Sequence, residues 1–300
     1  MLRKTLGIFI SFALVSSAFA AGETSPVPVS LSAAAIVDRN VAARGGLQAW
    51  RAVQTMALAG KLTAGGNQRT AIPVPMPDKG PRQKSSKMTF PTRPSDEAQL
   101  PFVMDLKRAR KMRMELQFNG QTAIQVFDGS NGWKLRPFLN RKEVEPYTPE
   151  EMKSTSTQAD LDGYLVDYSA KGTKIELAGK EKVEDRDAYK LKLTTKDGQT
   201  VHVWIDAQTF LEAKIEGQPR RLDGVYHPVE IYYRDYRLVN GLQIPHVLET
   251  KVLPVAKPAA VKADPVQAEK IMIEKVEINP KLEDSLFAKP QIAGAAPKVK

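Results

Sequence analysis

The residue types that carry covalent or metal chemistry are few in this sequence, and their spacing suits none of the common sites. Histidine occurs three times, as His202, His227 and His246. There is no H-E-x-x-H and no close histidine pair, which argues against a helical zinc-protease arrangement. Ser130 stands in Gly129-Ser130-Asn131-Gly132, without the G-x-S-x-G spacing that exposes a nucleophile on a strand-to-helix elbow. Gly179-Lys180 has no glycine at the upstream distance of a phosphate-binding loop, and no G-x-G-x-x-G follows a strand. Asp160-Leu161-Asp162-Gly163 begins like a calcium loop but lacks the later ligands and the closing glutamate, so a helix terminus explains it better. The neighbouring carboxylates Glu150 and Glu151 are accounted for by a helix N-terminus. Cysteine is absent, which removes disulfides, thiolate metal sites and cysteine nucleophiles. The reading is of a non-enzyme: no catalytic residue, no metal and no cofactor is expected.

Apolar surface of unusual composition remains. Nine methionines and the aromatics Trp133, Tyr189, Phe210, Tyr226, Tyr232, Tyr233 and Tyr236 fall largely on predicted strands. Met112, Met114, Leu116 and Phe118 alternate with Lys111, Arg113, Glu115 and Gln117. Tyr189, Leu191 and Leu193 alternate with Lys190 and Lys192, and Val201, Val203 and Ile205 with His202 and Trp204. This is the period of a strand with one apolar face. Methionine is flexible and polarizable, which suits it to variable apolar ligands. Core packing is the competing explanation. Both hold in a half-open barrel, where one face is core beneath helices and also the wall of a cavity. The candidate cavity residues are therefore Met112, Met114, Leu116, Phe118, Ile124, Val126, Trp133, Tyr189, Leu191, Leu193, Val201, Val203, Ile205 and Tyr233.

The elements that would position them follow from the pattern. Ser32 opens a helix whose Ala35, Ile36, Arg39 and Ala43 keep helical spacing; Gly45-Gly46 ends it, and Leu47 to Val53 adds a short turn. Residues 55–62 read as a strand. The stretch from Ala64 to Pro101 carries seven prolines and reads as a loop insertion. Asn119-Gly120 marks a hairpin, with Ile124 and Val126 on the return strand and Trp133 and Leu135 opening the next. Thr148-Pro149-Glu150-Glu151 is a capping-box start for a helix to about Leu161, followed by a second short helical piece ending near Gly172. Strands follow at 174–182, 188–195, 200–206, 210–216, 225–236, 242–253 and 270–278, with a Lys/Pro/Ala-rich loop over 256–267. Short links imply antiparallel meanders. The expected fold is mainly β (α+β), one curved antiparallel sheet with helices on one face and no second domain.

At the N-terminus, Arg3 and Lys4 precede an apolar run from Leu6 to Val15 and an Ala18-Phe19-Ala20 cleavage site. Residues 1–20 read as a signal peptide, Ala21 as the mature start, and 21–30 as a flexible leader. A membrane anchor competes, but the apolar run is too short to span comfortably. Without cysteine no lipid is attached at the cleavage site, so a soluble exported product is expected. Processing lowers the formal charge of +10 by two. The remaining basic residues alternate with apolar ones instead of forming a block, which argues against nucleic acid and fits attraction to anionic head groups or an acidic partner. Residues 31–290 read as a single domain and 291–300 as a disordered tail.

The order of motifs resembles a known family. The first helix ends Ala43-Arg44-Gly45-Gly46, and the hairpin leads into Asp128-Gly129-Ser130-Asn131-Gly132-Trp133. Tyr168-Ser169-Ala170-Lys171-Gly172, Leu177-Ala178-Gly179-Lys180-Glu181 and Ala188-Tyr189-Lys190-Leu191-Lys192-Leu193 follow. Then come Val203-Trp204-Ile205-Asp206, Thr209 to Lys214, Tyr233-Arg234-Asp235-Tyr236, Asn240 to Pro245, and Leu286 to Pro290. This resembles the outer-membrane lipoprotein-sorting proteins, the LolA/LolB-like periplasmic carrier superfamily. The resemblance spans most of the mature chain, best from Asp128 to Pro245; the insertion from Ala64 to Pro101 and the greater length depart from the compact carriers.

That resemblance implies an unclosed, strongly curved antiparallel β-barrel with a helical lid on its concave face and an apolar cavity for acyl chains. It implies a lid-latching arginine, for which Arg44 is the nearest match. It also implies a periplasmic, chaperone-like carrier of a lipoprotein or another lipid, taking cargo from an inner-membrane transporter to an outer-membrane acceptor. The alternative is an envelope sensor of lipid or misfolded protein that regulates a membrane partner; a hydrolase with an unrecognised site is the weakest reading.

Overall fold

Ser32 and Thr148 begin two helices through the same chemistry. The Ser32 hydroxyl accepts from the Ala35 amide and starts α1 (Ala33–Ala43). The Thr148 side chain accepts from the Glu151 amide while the Glu151 carboxylate accepts from the Thr148 amide, the reciprocal capping box that opens α3 (Pro149–Gln158). Between α1 and α2 (Leu47–Ala52) the chain turns at Gly45, with φ at +116°. A Cβ there would lie 2.3 Å from the Gly241 carbonyl oxygen, so only glycine allows this approach.

The computed structural model describes residues 31–64, 98–137, 141–222, 224–255 and 268–291. The expected signal peptide, leader and tail, and most of the proline-rich insertion and the 256–267 loop, lie outside the described residues. The strands are β1 (Thr55–Ala64), β2 (Ala98–Lys107), β3 (Lys111–Phe118), β4 (Gln121–Phe127), β5 (Gly132–Arg136) and β6 (Arg141–Pro146). After α3 come β7 (Lys174–Val183), β8 (Arg186–Thr194), β9 (Thr200–Asp206), β10 (Glu212–Leu222), β11 (Val225–Val239), β12 (Leu242–Val252) and β13 (Glu269–Ile278). A 3-10 turn, Asp284–Phe287, follows. All thirteen strands form one antiparallel sheet, ordered β6-β5-β4-β3-β2-β1-β13-β12-β11-β10-β9-β8-β7. The sheet does not close, because β6 and β7 are its two edges. This is the mainly β, unclosed curved architecture expected.

Three local expectations are corrected. The loop assigned to 64–101 gives way to β2 at Ala98, and Pro101 belongs to that strand. It stands one residue outside the β2–β3 ladder, which starts at Phe102, so its missing N–H breaks no bond on that side. The third helix stops at Gln158, and residues 161–172 form successive turns instead of a second helical piece. Gly163 and Asp167, with φ at +71° and +53°, interrupt any helix there. Strand β6 was not expected; its Arg-Lys-Glu-Val-Glu-Pro run has no apolar alternation because it is an edge.

Directly paired residues of an antiparallel ladder share a face. The main core lies between one face of the sheet and the helices. Trp50, Val53, Ala159, Leu161 and Val166 pack against Met56, Leu106, Met112, Phe127, Leu242 and Ile244.

Candidate functional site

The register decides which candidate cavity residues belong together. Met112, Met114 and Leu116 pair with Leu106, Met104 and Phe102 of β2, which continue to Met56, Leu58 and Gly60 of β1. Two residues further up, Leu100 pairs with Leu62, Leu62 with Ile271, Ile271 with Leu248, and Leu248 with Tyr233. This apolar row crosses five strands. On the β7–β9 side, Tyr189 pairs with Ile205, Leu191 with Val203 and Leu193 with Val201, and Val203 pairs with Ile215 of β10.

Burial divides this face. Met112, Leu191, Leu193, Val203 and Ile205 are at most 1% exposed, and Val201 and Tyr189 are also buried. They are covered core. Met114, Leu116 and Phe118 are only half-buried, as are Leu58, Leu62, Leu100, Met104, Leu248, Ile271 and Tyr233. These leave part of the apolar face uncovered as an open trough, which begins at Leu58 and Met104, where they pack against the core cluster around Met112. Gly60 lies in its floor at a bulge, where a Cβ would be 1.9 Å from the Met272 carbonyl oxygen. The Tyr233 phenol is raised well above its ordinary value, first by burial and then by Glu212, while Arg44 opposes the shift.

Three expected cavity residues face the other way. Val126 pairs with Arg113 and with Trp133, and Ile124 with Glu115 and Leu135. The two-residue turn at Asn119-Gly120 pairs Phe118 with Gln121, so the trough side of β4 carries Gln121, Ala123, Gln125 and Phe127. Ile124, Val126 and Trp133 therefore leave the trough set. Val126 is nevertheless fully buried. The Asp284–Phe287 turn lies against β3, with the Arg113 guanidinium donating to the Leu286 carbonyl, and Phe287 is itself buried.

A clamp of cations holds the turns after α3 beside the trough. The Arg44 guanidinium donates to the Asp162 carbonyl and to Glu212, 3.2 Å away, and lies 4.2 Å over the Trp50 ring. It therefore joins the 160–171 segment to β10. Arg108 is the stronger partner, and sequence reasoning missed it. It makes two 2.7 Å bonds to the Asp162 carboxylate, which is 6% exposed, and donates to the Val53 and Trp50 carbonyls. The bond to Asp162 raises the Arg108 pKa further above its ordinary value. Arg51 grips Asp167 in a bidentate pair, and Lys171 bonds Asp160 at 3.0 Å and the Gly163 carbonyl. The aspartates that looked like a calcium loop are thus ion-pair partners. Their signal in the sequence was the basic Arg108-Ala109-Arg110 turn, which no motif marks.

The histidines are tied into the fold. His202 Nδ1 lies 2.8 Å from Glu216, and His227 and His246 lie near the Leu253 and Ile244 carbonyls. Among the described residues no group of three His, Cys, Asp or Glu side chains is placed to hold a metal ion. No helix among them is long and apolar enough to cross a membrane.

No family model matches the sequence, and no curated protein matches it. Solved structures do. A LolA superfamily protein from Nitrosomonas europaea is 14% identical, with a TM-score of 0.50 over 87% of this chain and 99% of its own. A putative outer membrane lipoprotein-sorting protein domain from Vibrio parahaemolyticus is 12% identical, with a TM-score of 0.50 over 86% and 96%. Identity this low speaks to the fold alone. The open sheet with three helices over one face is the fold of the LolA superfamily and lipoprotein-sorting structures.

Proposed function

We propose that this protein is a non-catalytic carrier that shields acyl chains of a lipoprotein or another lipid in the trough and delivers them to the outer membrane. The observation that carries the reading is the half-buried apolar row Leu100, Leu62, Ile271, Leu248 and Tyr233, flanked by Met104, Met114, Leu116 and Phe118. A contiguous apolar face left partly uncovered is what an acyl chain needs, since each buried methylene contributes about 0.8 kcal/mol. The clamped segment beside it supplies a lid whose closure favours the loaded state. Transfer then requires only that the next site bind the chain better. The N-terminal leader supports a periplasmic location, with an inner-membrane transporter and an outer-membrane acceptor as the partners such a carrier needs.

An environment-sensitive fluorescent fatty acid tests this. The wild type binds it saturably, and Met114→Trp weakens binding more than it lowers the unfolding midpoint. A change on the other face, Lys61→Gln, leaves both unchanged. A wild type that binds no acyl probe refutes the proposal; Met114→Trp that only unfolds the protein assigns the trough to the core.

A further inference from the structure

A second cavity, of about 490 Å³ and lined mostly by polar and charged residues, opens beside the turns that follow α3. Its wall comes from four separate places: Arg110 of the β2–β3 turn, Lys153 of α3, the segment from Asp160 to Thr173, and the β8–β9 turn from Thr195 to Gln199. Its size is that of a small-ligand site. The charged groups lining it are Arg110, Lys153, Lys171 and Lys196 against Asp160 and Asp197, a net excess of two positive charges.

The internal pairing shows which groups are left for a ligand. Asp160 is taken by Lys171 at 3.0 Å, with Arg110 at 3.6 Å. Asp197 accepts the Thr195 hydroxyl at 2.6 Å. That bond, then the Asp197 backbone amide, then Lys153 and Arg110 hold the Asp197 carboxyl below its ordinary range. The Ser156 hydroxyl is also used, donating to the Lys153 carbonyl at 2.9 Å. Among the described residues Lys153 and Lys196 make no ion pair within 4.0 Å. The cations Lys153 and Lys196 are therefore exposed and uncommitted at the rim of the cavity, with the half-exposed Arg110 beside them.

The geometry points to a phosphate-binding site in this cavity, with Lys153, Lys196 and Arg110 as its ligand-facing groups. A phosphomonoester carries roughly −1.5 to −2 charges at neutral pH, which matches the excess. Ammonium groups on long stems meet such an anion as point charges without a fixed geometry. The source is a lipid head group or a soluble phosphate ester. The site is separate from the trough and goes beyond the carrier reading.

Amide NMR titrations at low salt separate these cases. The probes are inorganic phosphate, sn-glycerol 3-phosphate, and a short-chain phosphatidic acid below its micellar concentration, with glycerol as the blank. Saturable shifts are expected at Gly163 and Thr195 to Gln199. Lys153→Gln with Lys196→Gln weakens binding about tenfold, in line with loss of exposed charge-assisted bonds. Lys153→Arg with Lys196→Arg retains it, and Lys281→Gln, which does not line the cavity, changes nothing. Binding of all three phosphates assigns the site to the phosphate group itself; binding of the phosphatidic acid alone assigns it to a lipid head group. No saturable shift with any phosphate, or an equal loss in Lys281→Gln, overturns the inference. The two soluble phosphates carry no acyl chain, so their result is independent of the fatty-acid experiment.

Discussion

Asp162→Asn removes the charge at the centre of the clamp while keeping the side chain's shape. In the wild type the carboxylate is 6% exposed and receives both terminal nitrogens of Arg108 at 2.7 Å. Removing one partner of a fully buried pair costs about 3–5 kcal/mol. Arg108 keeps the Val53 and Trp50 carbonyls and its side chain is 30% exposed, so the stranded charge is partly solvated and the expected loss is about 2 kcal/mol. That exceeds the tenfold threshold of 1.4 kcal/mol, so opening of the 159–171 segment should become more than about ten times as frequent. Denaturant unfolding of Asp162→Asn, Arg108→Met and the double variant gives the coupling energy, and hydrogen exchange locates the opening. The expected pattern is coupling near 2 kcal/mol with faster exchange in the segment after α3. Coupling below about 0.5 kcal/mol, the value of an ordinary surface pair, would refute the clamp.

Thr148→Ala removes one half of the capping box and should lower stability by about 1 kcal/mol, read as a shifted denaturation midpoint with unchanged slope; an unchanged midpoint rejects the helix-start assignment. Glu151 gives a pH prediction: burial would raise its carboxyl, but the Lys134 and Thr148 amide hydrogen bonds outweigh it and hold the group below its ordinary range. A carboxylate lowered in the folded state stabilises above its unfolded pKa and loses that contribution as pH falls through the folded value. The stability gap between wild type and Glu151→Gln should therefore shrink between neutral pH and about pH 3, and a gap independent of pH would be evidence against the Glu151–Lys134 contact.

Strand period and turn chemistry were legible because they are local. Ser32, Thr148, Asn119-Gly120 and Asn240-Gly241 each stand where the structure turns or caps. Pairings between distant segments were not legible. Ile124 and Val126 are more apolar than Ala123 and Gln125, so hydropathy favoured the wrong face of β4. The reason is the turn from Asp284 to Phe287, which covers that other face from far along the sequence. Arg113, on the charged side of the β3 alternation, is committed to the Leu286 carbonyl for the same reason. Arg108 carries no signature because its partners Asp162, Val53 and Trp50 are brought to it only by the folded sheet. Within the candidate trough, sequence gave the alternation of Met112, Met114, Leu116 and Phe118. Which of these would be covered depended on where the helices came to rest.

The strand order has a consequence for how such a chain is assembled. Apart from β1 with β13, every neighbouring pair in the sheet is consecutive in the sequence. Two meanders, β1 to β6 and β7 to β13, can each zip up from short-range contacts as the polypeptide emerges. The junction between them sits near the middle of the finished sheet and joins residues no nearer in sequence than Thr63 and Lys270, which are 207 positions apart. Until β13 appears, β1 is a bare edge bearing Met56, Leu58 and Leu62, the kind of surface that recruits unwanted strands. The interior of the sheet is thus completed after its margins, and a chain stopped short of Glu269 would leave two half-sheets with no ladder between them.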